Sequence, residues 1–268
     1  MIFEGPRMGA EALSLLASPL FRGQDVPRGA GRPVLLIPGF MAGDNSLSVL
    51  NGWLRRQGFR VHGSGITRNV ECSEKAVGRL SARVAELSDR YGQPVAVIGH
   101  SRGGTYGRVL AVRHPELVDH VITLGSPLVA TMDDFHPLLR FNIRTLQTLQ
   151  KLAGSGLIAN TCEESWQAHK FGMEGVGCCY GFWADLEDDV PEHVRFTSIY
   201  SRSDGVVHWR ACLDPDATHL EIDGSHCGMG VNAKVFRAIA EQLAPAQVTS
   251  YAPIRESLVP LPGFVAAG

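Results

Sequence analysis

Six short runs rich in β-branched and other apolar residues recur along the chain, separated by stretches of helical character. This alternation narrows the possible folds more than any other feature. The runs are PVLLIPGF (33–40), FRVHGSGI (59–66), PVAVIGHS (94–101), HVITLGSP (120–127), VRFTSIYS (194–201) and ATHLEIDG (217–224). Strands joined by crossover helices pair in parallel, and three of the runs are almost unbroken in apolar character, as strands covered on both faces must be. Between the second and third runs, Ala76, Val77, Leu80, Val84, Leu87 and Tyr91 recur mostly three and four apart, with Arg79, Arg83, Glu86 and Arg90 on the other side. That spacing predicts an amphipathic helix lying on a sheet. The expected class is therefore α/β, with a mostly parallel, doubly wound sheet.

The rhythm breaks between Leu128 and Val190, where about sixty residues separate two strands that a plain crossover would join in far fewer. Residues 128–190 are expected to be an inserted lid or cap. Phe135, Leu138, Leu139, Leu146, Leu149 and Leu152 fit one side of a helix, with Arg140, Arg144, Gln147 and Lys151 on another. Residues 244–268 are rich in proline and are expected to form an extended arm. A chain of 268 residues is long enough for one large domain or two small ones, and the strands on both sides of the insertion favour a single domain over 1–268.

With 25 basic and 27 acidic residues and a formal charge of -2, the chain carries no footprint for nucleic acid or an anionic membrane surface. No apolar run approaches the roughly 18 residues of a membrane span, so no integral membrane association is expected. The first residues lack a basic segment ahead of an apolar core, because Glu4 and Pro6 interrupt them, and a cytoplasmic location is favoured. The six cysteines are Cys72, Cys162, Cys178, Cys179, Cys212 and Cys227, none in C-x-x-C spacing. That usage points away from a disulfide scaffold and from structural zinc. No metal or cofactor is expected.

The fragment Gly99-His100-Ser101-Arg102-Gly103 matches G-x-S-x-G. PVAVI runs straight into it as a buried strand and TYGRVLAVRHPE follows with helical pattern, the strand-turn-helix setting of a nucleophile elbow. Glycine is needed at both flanks because side chains there would collide with the neighbouring strand and helix, while Ser101 sits strained with its hydroxyl exposed. A serine hydroxyl is a weak nucleophile without a base, and the base needs an orienting acid. Asp204 lies in the turn after VRFTSIYS, and His226 lies in the loop after ATHLEIDG. The order Ser101, Asp204, His226 is the one expected on a doubly wound sheet. His100 reads as a packing and hydrogen-bonding residue, His208 is the alternative base, and Asp185, Asp188 and Asp189 read as a solvated acidic surface.

Four signatures in this order, LLIPGFMAG, VIGHSRGG, YSRSDGVV and DGSHCGM, resemble the α/β-hydrolases, and among them the bacterial serine esterases and lipases. The resemblance covers residues 32–128 and 190–243. It implies an α/β-hydrolase fold with Ser101 as nucleophile, His226 as general base and then general acid, and Asp204 as the carboxylate that fixes the imidazole tautomer. It also implies an oxyanion hole made by the backbone N–H of Arg102 and of Phe40, with Met41 as the neighbouring alternative. Relatives often carry His-Gly where this chain has Pro38-Gly39. The implied reaction is hydrolysis of a small-molecule or lipid ester with an apolar acyl group. Acyl transfer with the same triad and a non-catalytic binding protein on the same fold are the alternatives. Cys212 and Cys227 sit in consecutive loops around this site and could bridge, although a cytoplasmic address argues for free thiols. Cys178 or Cys179 could join Cys162, or all three could be buried apolar residues.

Overall fold

The computed structural model describes residues 4–129 and 179–244. Residues 130–178 of the expected lid, with the helix expected around 135–152, and the arm beyond Ala244 lie outside the described residues; the described end of the insertion, 179–190, carries a helix over Tyr180–Glu187 that joins the core through Phe182 and Leu186. All six expected strands form: β1 (Pro33–Ile37), β2 (Arg60–Gly63), β3 (Val95–His100), β4 (Val118–Leu124), β5 (Arg195–Tyr200) and β6 (Thr218–Glu221). They make one sheet in the order β2-β1-β3-β4-β5-β6, with every pairing parallel. The second strand stops earlier than its sequence suggests. The Asp44 carboxylate accepts from the N–H of Ser64 and of Gly65, at 3.1 and 2.8 Å, and so takes the chain out of the ladder.

Alternation along the strands builds a core on each face. Leu35, Ile37, Val95, Val97, Val121 and Phe196 point to one side. There they meet α3 (Ser73–Tyr91), α4 (Arg102–Arg113) and α5 (Tyr180–Glu187). Val34, Leu36, Ala96, Ile98, Ile122 and Ile199 point to the other. On that face lie α1 (Glu4–Ala17), α2 (Ser48–Arg56) and α6 (Ala233–Leu243). Helix α3 is the one read from spacing: Ala76, Val77, Leu80, Val84 and Leu87 are buried, and it ends where Gly92 turns left-handed. Helix α6 starts at Asn232, whose side chain accepts from the N–H of Lys234 and Val235.

In the acidic stretch near 185–189, Asp188 and Asp189 are exposed, as expected, whereas Asp185 is half-buried. Asp185 accepts from Arg113 Nε at 2.5 Å, and the carbonyls of Asp185 and Asp188 receive Arg108 Nη1. Arg108 is itself buried and paired with the buried Asp214 at 2.6 Å, which ties α4 to the segment before β6.

The strand order decides where a site can lie. Strand β1 continues outward to β2, whereas β3 starts the run in the opposite direction, so the loops after β1 and β3 diverge and leave a crevice at their carboxyl ends. Those loops carry Pro38–Met41 and Ser101. The loops after β5 and β6, carrying Asp204 and His226, open on the same edge of the sheet.

Candidate active site

At the end of β3 the chain must reverse into α4 within one residue. Ser101 makes that turn with φ 52° and ψ -124°, a conformation costly to any residue with a β-carbon. A β-carbon added at Gly99 would lie 2.3 Å from the Gly103 carbonyl oxygen, and one at Gly103 would lie 2.3 Å from that of Ile37. The close approach explains both glycines of the motif. It also extends to Gly104, which the pattern does not include, where an added β-carbon would lie 1.9 Å from Ser126 Oγ. Ser101 N–H donates to the Leu124 carbonyl at 2.8 Å, so the strained turn is pinned to β4.

Asp204 sits in the turn after β5 with its carboxylate fully engaged. Oδ1 accepts from the N–H of Val206 and Val207, at 2.7 and 2.9 Å, and Oδ2 accepts from His226 Nδ1 at 2.7 Å. Both side chains are almost wholly buried. A carboxylate can only accept, so Nδ1 carries a proton, and in the neutral tautomer this fixes, Nε2 keeps its lone pair. The His226 backbone is fixed from the elbow: His100 Nε2 lies 3.0 Å from the His226 carbonyl oxygen, and the two rings are 4.9 Å apart. Burial, and then the nearby His226 ring, push His100 down to about 4. His100 is therefore neutral near pH 7 and donates through Nε2–H, while Ser101 Oγ makes no hydrogen bond among the described residues.

The loop after β1 is organised by Asn69, a residue no motif pointed to. Fully buried, it donates from Nδ2 to the Pro38 carbonyl at 2.8 Å and from its N–H to that of Ala42 at 2.9 Å. It accepts from Tyr106 Oη at 3.1 Å through its side chain, and its backbone carbonyl accepts from the Met41 N–H at 3.1 Å. The Met41 amide is thus engaged, and Met41 takes φ 59° to reach it. The N–H of Phe40 and that of Arg102, the first residue of α4, have no acceptor among the described residues. The Arg102 guanidinium ties this loop to the elbow helix. It lies over the rings of Phe40 and Tyr106 and donates to the Glu71 carbonyl at 2.7 Å and to Ser73 Oγ at 3.0 Å.

A staple between Cys212 and Cys227 does not form; both are free thiols. Cys212 is buried among Tyr200, Val206, Val207 and Ala211, whereas Cys227 is exposed. The apolar pocket that takes Cys212 holds its sulfur away from the surface where Cys227 lies. Cys179 packs against Cys72, sulfur to sulfur 3.2 Å, and Cys162 and Cys178 lie outside the described residues. His208, the alternative base, stacks on Trp209. Among the described residues no group of three or more His, Cys, Asp or Glu could hold a metal ion, and no helix is long and apolar enough to cross a membrane.

The family model described as alpha/beta hydrolase fold matches residues 32–174, just over half of the chain. The chain belongs to the α/β-hydrolase fold family. A curated relative of this α/β-hydrolase, a triacylglycerol lipase of Burkholderia plantarii, is 30% identical over 132 residues, which are 46% of this chain and 37% of the relative. The matched part thus spans little more than a third of that relative's length. Among solved structures, the mature lipase BlEst2 of Bacillus licheniformis is similar with a TM-score of 0.55 at 16% identity, over 82% of this chain and 95% of that one. A soluble variant of the monoglyceride lipase of Saccharomyces cerevisiae gives 0.54 at 17% identity, over 82% and 87%. At these identities the likeness is one of fold.

Proposed function

We propose that this α/β-hydrolase is a serine carboxylic-ester hydrolase, acting on a small-molecule or lipid ester with an apolar acyl group through an acyl-enzyme. The observation that carries this reading is the buried 2.7 Å bond from His226 Nδ1 to Asp204 Oδ2, which leaves Nε2 as a base on the sheet edge that also bears the strained Ser101. Ser101 gives its proton to His226 Nε2 as Oγ attacks the acyl carbon, and Asp204 stabilises the imidazolium. The oxyanion is received by the N–H of Phe40 and of Arg102, neither of which has an acceptor among the described residues; Met41 is set aside because Asn69 holds its amide. His226 then returns the proton to the leaving alcohol, and water, activated in the same way, releases the acid. The sequence resemblance to serine esterases and lipases, and the lipase relative and neighbours, support the ester as substrate class.

The test is labelling by a fluorophosphonate together with hydrolysis of p-nitrophenyl esters of increasing chain length. The expected result is one covalent adduct at Ser101, hydrolysis that needs no added metal or cofactor, and loss of both in Ser101→Ala. Hydrolysis retained by Ser101→Ala overturns the proposal. Preferential transfer of the acyl group to an added alcohol or thiol would instead assign the acyl-enzyme to acyl transfer.

A further inference from the structure

Helix α1 carries Glu4, Arg7 and Glu11 at spacings of three and four, which puts them on one face. Every one of them bonds to a residue adjacent to Asp204 or His226. Glu4, buried although acidic, accepts through Oε1 from the Gly205 N–H at 3.0 Å and through Oε2 from the Cys227 N–H at 3.0 Å. Arg7 donates to the Ser203 carbonyl at 2.6 Å and to Ser203 Oγ at 2.8 Å. Glu11 accepts from the Ser225 N–H at 2.7 Å and from Ser225 Oγ at 2.8 Å. The residues before and after Asp204, and those before and after His226, are thus all held by one helical face. Gly228 is part of the fit, since a β-carbon there would lie 1.4 Å from Glu11 Oε2.

We propose that Glu4 is a positioning residue: its carboxylate, bridging the N–H groups that directly follow Asp204 and His226, sets the separation of the two loops and hence the hydrogen bond between them. Strands β5 and β6 end some distance short of those side chains, and a bond of 2.7 Å leaves little tolerance for drift between two loops. A carboxylate receiving two backbone N–H groups is a charge-assisted, two-point brace, and helix α1 gives it a rigid mount. Glu4 touches neither the reacting serine nor the imidazole, so its effect runs through the geometry of the pair. The inference rests on the reading of Asp204 and His226 as the working acid and base.

The test is Glu4→Gln, which keeps the shape but replaces one acceptor oxygen with a donor facing an N–H. In the folded variant, kcat for a p-nitrophenyl ester and the rate of fluorophosphonate inactivation should fall together, from about 10-fold to on the order of 100-fold, the scale of a misplacement near 1 Å. KM should stay near the wild-type value, and the downfield His226 Nδ1 proton resonance should move upfield. Leu13→Ser, on the solvent-facing side of the same helix, should leave the rates at wild type. Wild-type rates in Glu4→Gln, even with a lowered melting temperature, would show that Glu4 only holds the fold and would overturn the inference. Should Glu4→Gln not fold, Glu4→Asp decides, because it keeps the charge and both acceptors but falls one methylene short; wild-type kcat in that variant overturns the inference, and a reduced kcat supports it. A wild-type protein that fluorophosphonate does not label would refute the serine-hydrolase reading itself, which is a separate result.

Discussion

Replacing Asp204 by Asn separates chemistry from folding in this site, because the two carboxylate oxygens have different jobs. Oδ1 receives the N–H groups of Val206 and Val207, and an amide oxygen can continue to receive both. The turn should therefore survive at the cost of the charge assistance to those bonds, about 2 kcal/mol at roughly 1 kcal/mol each. Oδ2, by contrast, becomes an NH₂ group facing His226 Nδ1 across 2.7 Å. Two donors cannot share that contact, so the ring presents its Nδ1 lone pair and carries its proton on Nε2. The atom that accepts the Ser101 proton in the proposed mechanism is then occupied. The expected outcome is a fall in kcat of about 10⁴-fold, equivalent to roughly 5.5 kcal/mol in the barrier. Urea unfolding should show the smaller loss of about 2 kcal/mol estimated above from the charge-assisted bonds. Ester hydrolysis, fluorophosphonate inactivation and the unfolding midpoint should be measured on the same preparation. A kcat within about tenfold of wild type, one power of ten against the four expected, would refute the tautomer argument. So would a loss of activity fully explained by unfolding.

Gly103→Ala places a β-carbon 2.3 Å from the Ile37 carbonyl oxygen and 2.7 Å from that of Pro38. Both are backbone atoms at the end of β1, so the loop bearing Phe40 must shift; stability should drop by about 1–3 kcal/mol in a urea titration, with a parallel loss of ester hydrolysis. His120, fully buried, is held by burial first, and then by Arg195 and Arg32, down to about 3. Thr197 Oγ1 donates to Gln242 and so accepts from His120 Nε2–H, which leaves Nδ1 without a partner to receive a second proton. Between pH 6.5 and 3 the unfolded ring binds a proton that the folded ring does not, so stability falls with pH by about 1.4 kcal/mol per unit. In His120→Leu the acid limb of an unfolding-versus-pH curve should flatten by that slope; an unchanged slope would sink the argument.

The strands, helix α3 and the elbow are legible in the sequence because each is set by nearest-neighbour chemistry. Apolar runs of strand length, a helical period of buried positions and two glycines at a tight turn need no distant partner to be recognised. The chain order of Ser101, Asp204 and His226 is legible for the same reason, since each follows a recognisable strand. Asn69 and the bridging face of α1 are not, because their meaning lies in backbone groups that the sequence does not name: Asn69 binds Pro38 and Ala42, and Glu4 binds amides more than two hundred positions away. The thiols illustrate the same limit. Cys212 and Cys227 occur in consecutive loops, but only packing shows one sulfur in an apolar pocket and the other at the surface.

By itself, then, the sequence determined an α/β fold with a parallel sheet and the segments that could carry a site, because local patterning selects secondary structure and parallel strands put their following loops on one edge; the likeness to the α/β-hydrolases rested on the four short signatures. Only the tertiary structure decided which atoms meet on that edge: the bond between Asp204 and His226, the engagement of the Met41 amide, and the grip of α1 on both loops. Those contacts join segments far apart in the chain. Their geometry is set by how helices and strands pack, and distances of a few tenths of an ångström are properties of that packing, not of any one segment.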